Sequence, residues 1–419
     1  MADVIEPPPV EVEAPPQTQV PGSSPQADRP ISAPEERPGA QQLKPVRRPD
    51  GKEIITLEVR GALFSNWTTV RVEQRVTEPF PTFQFECTED TPIATNYDAT
   101  QFKPGDIVRV FVGGVPAVFG YIVERHVGYD GKNHGVRLVG CGDTVDLTNS
   151  SVPIEKLGGH DGKSWTQLAK DLSEHLGIQI HGKGAVDNTP FENIQIQPGE
   201  TIMQSIERYA KMRNIIIGSV ATGGLLAIGE HEAVNAGELV EGENILRANA
   251  VVRDNMVYRR LYVIGQDKGS DNAYGDSQNK QIAFLPGSSP RNRYLVVPAD
   301  IADTMHGIQR RVKMESVFTE GSFIEAQITV QGWFKDSNQS DDLWKAGEYY
   351  TVYSPMLIMN GMLLGCAGCV YEQSDGGSTT TMQMVNPVHM NGLYNVRQEA
   401  MAFQAAQRAI DAAKREAMR

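Results

Sequence analysis

The sequence is short of the features that would point to chemistry or to a membrane. Its 419 residues include four cysteines, Cys87, Cys141, Cys366 and Cys369. So few exclude a disulfide-built scaffold. Cys87 and Cys141 stand in strand-like contexts and read as small core residues. Cys366-Ala-Gly-Cys369 has CxxC spacing, but no second pair completes a zinc site. The run around it is apolar and β-like, where a thioredoxin-type thiol would open a helix. Four free thiols in a reducing compartment are the expectation. Basic residues are also in deficit, 39 Lys+Arg against 52 Asp+Glu, a net charge of −13. That excludes a general nucleic-acid binder, which needs clustered cations to neutralise phosphates. The acidic excess is dispersed and reads as solubility; along a DNA conduit it would repel the cargo. The longest apolar run, Met356 to Val370, is broken by Asn360, Gly361, Gly365 and Gly368. It is too short to cross a bilayer as a helix. The acidic, proline-rich start is no secretory signal, so a soluble chain with no membrane partner is expected.

Catalytic punctuation is missing as well. The eight histidines show no HxxxH or other ligand spacing, and no G-x-S-x-G elbow occurs. Asp271 to Asp276 resembles a calcium loop but lacks its alternating ligands and distal Glu, and the Asp341-Asp342 pair is too ordinary to mark a glycosidase. Residues 158–164, with Gly162-Lys163-Ser164 at their end, imitate a phosphate loop. A working one places four residues between its first glycine and the Gly-Lys, and three stand after Gly158 here. The preceding Val152 to Leu157 also carries Pro153 and two charges, so no buried strand feeds it. Ser164 as a helix cap explains the motif better. No catalytic residue, metal or cofactor is expected.

What the sequence does contain is alternation. Ile55, Leu57 and Val59 alternate with Thr56, Glu58 and Arg60; Val70, Val72 and Val76 are interleaved with Arg71, Glu73 and Arg75; Phe83, Phe85 and Cys87 alternate with Gln84 and Glu86. A period of two puts one set of side chains in a core and the other on an outer face carrying both signs of charge. The pattern predicts a mainly β protein with an α/β insertion. Residues 1–48 form a disordered, proline-rich leader. A first β module, an antiparallel sandwich or barrel, spans 49–150 and a small α/β domain 151–235. A second β module spans 236–390 and a C-terminal helix 391–419. Within the insertion, Ser164 and Gln167 make a capping box for a helix that Gly177 stops. A second helix follows Pro198-Gly199, and Gly223-Gly224 turns a hairpin. In the second module a helix is predicted near Ala299 to Lys313, and Gln266 to Pro290 reads as a long polar loop.

Trp165 falls on the inner face of its helix and reads as core. Trp67, Trp333 and Trp344 stand at strand ends, where aromatics are enriched at interfaces; they are the partner-interface candidates, with packing as the plainer alternative. Phe403 and Ile410 join them, since Val396, Phe403, Ile410 and Ala417 recur every seven residues, the pattern of a coiled-coil seam or docking helix, with a frayed amphipathic tail as the alternative.

Several stretches together resemble the baseplate hub proteins of contractile-tailed bacteriophages, the Mu-like tail protein and late control D-like family. They are Leu57 to Gly61 with Asn66 to Val72 and Phe83 to Phe85; Phe102 to Asp106 with Gly113 to Ile122; Val139 to Leu147; Gly199 to Ala210; Glu241 to Ile245; and Gly332-Trp333 with Leu343-Trp344. The similarity covers roughly residues 54 to 390. Cys141 stands where the family more often has Arg, and Cys366 and Cys369 have no counterpart. The resemblance implies a homotrimer whose two tail-tube-like barrels per subunit form a six-fold-like ring. That ring would join a hexameric tail tube or tail terminal protein to a trimeric central spike, contact baseplate wedge proteins, and leave a channel for DNA. It places the protein in the virion tail after assembly in the host cytoplasm. A spike-hub of a contractile injection or type VI-like secretion machine is the near alternative. A tail-associated cell-wall hydrolase and a β-sandwich carbohydrate binder are the distant ones.

Overall fold

The alternating stretches become one hydrogen-bonded ladder. The computed structural model describes residues 54–76, 78–89, 102–129, 134–265, 281–287, 289–298, 305–336 and 342–393. The leader 1–48 and residues 394–419, including Phe403 and Ile410, lie outside the described residues. The first module consists of β1 (Ile55–Val59), β2 (Ala62–Phe64), β3 (Thr69–Arg75), β4 (Thr82–Glu89), β5 (Ile107–Val112), β6 (Val115–Tyr129) and β7 (His134–Gly142). All its pairings are antiparallel, and the register puts Val70 opposite Phe85 and Val72 opposite Phe83 on the core side. Two glycines are required by close approach. A Cβ on Gly120 would lie 1.9 Å from the Cys141 carbonyl oxygen, and one on Gly140 would lie 2.0 Å from the Phe83 ring.

The insertion follows as expected, with more structure than the periodicity showed. It contains α1 (Val145–Asn149), α2 (Trp165–Ser173), β8 (Ile180–Lys183), α3 (Ile202–Met212), β9 (Ile216–Ser219) and β10 (Leu225–Ile228). Both longer helices begin with a capping box, Ser164 with Gln167 and Thr201 with Gln204. Gly177 closes the turn after α2 with a φ of 70°. Trp165, Leu168, Leu172, Ile202, Ile206 and Leu147 share one core with β9 and β10 residues. β10 pairs antiparallel with β9 and parallel with β8.

β11 (His231–Glu232) closes the insertion, and the second module begins with β12 (Asn235–Val240) and β13 (Ile245–Val252). Then come β14 (Arg260–Gly265), β15 (Gln281–Pro286), β16 (Tyr294–Pro298) and α4 (Met305–Gly321). It ends with β17 (Ile324–Gln331), β18 (Tyr349–Ser354), β19 (Met359–Ser374), β20 (Gly377–Val385) and β21 (Gly392–Leu393). Three expectations are corrected here. The helix predicted to end near Lys313 continues to Gly321. The stretch read as a polar loop contains β15, whose alternating Ile282, Phe284 and their neighbours pair with β14. Asn391 to Leu393 do not open a helix, because β21 pairs in parallel with β11 and ties the chain back to the end of the insertion.

The two separate barrels are corrected as well. β1–β7 and most of the second module form a single thirteen-stranded sheet in the order β13-β17-β20-β19-β3-β4-β7-β6-β5-β1-β2, with β18 and β12 attached beside β19. Among the described residues this ladder does not close on itself. The physical reason is the length of β19, 16 residues. Its first part pairs with β18 and its second part with β3, so one strand serves both modules. The core is continuous across the join, running from Ile55, Leu57 and Phe85 to Leu364, Tyr371 and Met384. Alternation reveals which face of a strand is buried, and says nothing about which strand lies beside it.

Candidate assembly surface

Eight strands of this sheet, β13-β17-β20-β19 from the second module and β3-β4-β7-β6 from the first, lie side by side. Register fixes the side chains on the face opposite the core. Across the join Arg71 lies opposite Glu372 and Gln84; next to these come Glu73, Glu86 and Arg137. On the other side Thr379, Thr381 and Gln383 face Gln331, Thr329 and Gln327, and Arg247 and Asn249 follow on β13. The face is mostly polar, interrupted by Val139, Val370 and Val251, and most of its charges near the join are matched locally. Arg71 donates to Glu372 at 2.6 Å and to Glu73 at 3.3 Å, and Arg75 donates to Glu73 at 2.7 Å. Arg137 donates to Gln84 at 2.8 Å, which donates to Glu86 at 2.7 Å. Such a surface is hydrophilic without presenting the cation cluster that holds nucleic acid.

The ends of the eight-strand block carry unused backbone. Beyond a lone bridge from Ile245 to Glu241, β13 has a partner only on its β17 side among the described residues. β6 pairs with β5 as far as Tyr121, and Ile122 still bonds to the Gly105 and Asp106 backbone; from Val123 to Tyr129 the strand is paired only with β7 among the described residues. Apolar side chains on the core side are left uncovered at both places. Val252, opposite the buried Ile324, is 46% exposed, and Val127, opposite the buried Val136, is 50% exposed. Free edges flanked by uncovered valines are templates for another chain. The sequence signal was weak, because β13 reads Ile-Leu-Arg-Ala-Asn-Ala-Val-Val with little alternation.

The tryptophans proposed as interface residues are core residues. Trp67, Trp333 and Trp344 are 8%, 0% and 3% exposed. Trp67 packs on Phe85 with ring centroids 4.8 Å apart, Trp333 donates its indole N–H to the Glu372 carbonyl, and Trp344 packs on Tyr350. They support the sheet from beneath.

The insertion is locked to the second module by polar contacts. His231 Nδ1 lies 3.0 Å from the Gly229 carbonyl, and its Nε2 lies 2.7 Å from the Tyr349 hydroxyl. The carbonyl can only accept, so the proton sits on Nδ1 and Nε2 accepts from Tyr349. Burial holds the His231 imidazole below its usual pKa, against the pull of the Gly229 carbonyl, and raises the Tyr349 hydroxyl. Asn391 donates to Asn214 O at 2.9 Å and Ile228 O at 2.8 Å, and Lys183 donates to Gly347 O at 2.7 Å.

The phosphate-loop imitation is structural. Ser164 caps α2, Lys163 is ion-paired with Asp171, and His160 is buried with Nε2 2.8 Å from the Lys156 carbonyl. A nearby hollow of about 450 Å³ is lined by Lys170, Asp171, Glu174, Ile178, Gln179 and Ile180. Its two carboxylates are held by Lys163 and Lys156. Among the described residues no cluster of three or more His, Cys, Asp or Glu could hold a metal ion, and no helix is long and apolar enough to cross a membrane.

Residues 54–142 match the family described as Mu phage baseplate assembly protein GpP-like, N-terminal, and residues 144–229 match baseplate hub protein gp44-like, second domain. These two stretches are a Mu GpP-like and a gp44-like baseplate domain. No curated protein matches the sequence significantly. Among solved structures, the 43 kDa tail protein of prophage MuSo2 from Shewanella oneidensis is similar with a TM-score of 0.70 at 21% identity, over 81% of this chain and 100% of that one. The tail protein from Neisseria meningitidis MC58 gives 0.66 at 16% identity, over 81% and 98%. A chain of the lidded Francisella PdpA-VgrG complex gives 0.52 at 8% identity, over 81% of this chain and 53% of that one. These hub domains therefore sit in a fold that phage tail proteins and a VgrG complex share.

Proposed function

We propose that the protein is the structural hub of a phage tail baseplate, a homotrimer that joins a six-fold tail tube to a three-fold central spike around a channel for DNA. One observation carries this reading: each subunit sets two four-stranded blocks side by side in one sheet, with an unpaired edge at either end. Edges of different identity, β13 and the outer half of β6, make a head-to-tail contact, and such contacts form a ring when the rotation closes. Three copies then supply six blocks, a count that suits a hexameric neighbour on one side and a trimeric one on the other. The matched polar face would line the channel and let DNA pass without sequence-specific binding. The barrels expected from the sequence are in this reading completed between subunits.

Its role is mechanical, as the baseplate domains imply. Native mass spectrometry of the purified chain, alone and with its tube and spike partners, tests the oligomer; a trimer in the assembled complex is expected, and a dimer or persistent monomer there overturns it. The shared fold with a VgrG complex keeps a spike-hub of an injection machine as the second reading. A peptidoglycan-clearing assay separates both from a cell-wall hydrolase; no clearing is expected.

A further inference from the structure

The Cys366-Ala-Gly-Cys369 run has no part in the hub reading, yet it stands at a singular place. Inside it β19 changes neighbours. Up to Gly365 the strand pairs with β18, and from Gly368 it pairs with β3. The ladder to β20 bulges between Cys366 and Gly368, so that Cys366 faces Met384 and Cys369 faces Met382. In a regular strand, residues three apart point to opposite faces. The extra residue returns both thiols to the core side, opposite partners two apart. Their sulfurs lie 3.3 Å from each other, and both side chains are 0% exposed. Burial, followed by the neighbouring Cys366, pushes the Cys369 thiol well above its usual pKa. A thiol raised in this way is a poor nucleophile until it is exposed.

We propose that Cys366 and Cys369 are a disulfide-forming pair, closing across the bulge when the protein leaves a reducing environment. Each thiol gives up its hydrogen and the Sγ–Sγ bond forms. The two protons and two electrons pass to a low-molecular-weight disulfide, whose own S–S bond breaks to give two thiols. The sulfurs must approach by roughly 1.3 Å to reach a bond of about 2.05 Å. The cross-link would clamp the strand where it crosses from one module to the other. Exchange needs a thiolate and access, so closure runs through local opening and is faster at alkaline pH. Cys87 and Cys141 face Val136 and Thr82 on their partner strands.

The full-length protein, purified under reducing conditions, would be held with oxidised glutathione at pH about 8.5, then denatured, alkylated and digested with trypsin. Both cysteines fall in one fragment, Ala346 to Arg397, which has no internal Lys or Arg. That fragment is expected to lose two hydrogens and accept no alkyl group, and dithiothreitol is expected to reverse the change. Cys369→Ala removes the loss and Cys87→Ala leaves it. The wild-type measurement decides the matter even if Cys369→Ala fails to fold. Two alkyl groups on the fragment after prolonged oxidation, or a glutathione adduct in place of closure, would overturn the proposal. Neither result bears on the trimer, which is tested by mass.

Discussion

Arg71 and Glu372 meet at 2.6 Å across the join between the two modules, although 301 positions separate them in the chain. The contact marks the seam without holding it together. Both side chains are about half exposed, and pairs of that kind contribute about 0–1 kcal/mol. The seam is held beneath them, where Val72 lies opposite the buried Tyr371. A double-mutant cycle on Arg71→Ala and Glu372→Ala should therefore give a coupling under about 1 kcal/mol. Phe85→Ala, in the core of the neighbouring strand pair, should cost about 3–5 kcal/mol in urea unfolding.

Blocking the free edges should separate folding from assembly. Lysine is a common guard of exposed sheet edges. The double variant Val127→Lys and Val252→Lys should keep the far-ultraviolet circular dichroism of the wild type while losing the trimer in native mass spectrometry. A trimer that survives both substitutions would place the subunit contact elsewhere.

Acid should loosen both the attachment of the insertion, at His231, and the packing of the chain after β20 on α4, at His389. His231 and His389 both have pKa values held down by burial, against partial compensation from the Gly229 and Phe318 carbonyls. The unfolded chain then binds more protons than the folded one between the depressed values and the ordinary value near about 6.5. Stability supplied by these neutral rings is complete above that ordinary value and is lost as pH falls through the depressed ones. Melting temperatures should drop between roughly pH 7 and pH 5. His231→Asn with His389→Asn should flatten the slope.

The phosphate-loop imitation gives a contrast in kind. Ser164→Ala removes the cap of α2 and should cost about 0.5–2 kcal/mol. Lys163→Ala, which breaks a partly exposed pair with Asp171, should leave both assembly and fold intact. Isothermal titration with ATP should show no heat of binding for wild type or variant.

What was legible in the sequence was whatever depends on neighbours along the chain. Ser164 with Gln167 announced a helix start, the spacing of Trp165, Leu168 and Leu172 announced its buried face, and Val70, Val72, Phe83 and Phe85 announced theirs. Strand partnership was not legible. Nothing in Val70 to Arg75 says that Gln373 to Gly368 will lie alongside, because the hydrogen bonds are made by backbone common to every residue. Trp67, Trp333 and Trp344 left packing and interface both open for a related reason: a strand end is an interface or a covered rim according to what folds over it. The bulge that brings Cys366 beside Cys369 left no trace beyond glycines at 365 and 368.

The pairing of β3 with β19 also sets a timetable. A ribosome adding about 5–20 residues per second takes roughly 15–60 s to deliver the later strand after the earlier one. Throughout that interval Thr69 to Arg75 has no permanent neighbour on one flank, so a nascent subunit carries an open seam beside its siblings on the same message. Contacts this distant in sequence slow the search for the native arrangement. The protein cannot present its polar wall until almost the last described residue has emerged, so a half-made subunit has only one of its two blocks to offer a neighbour.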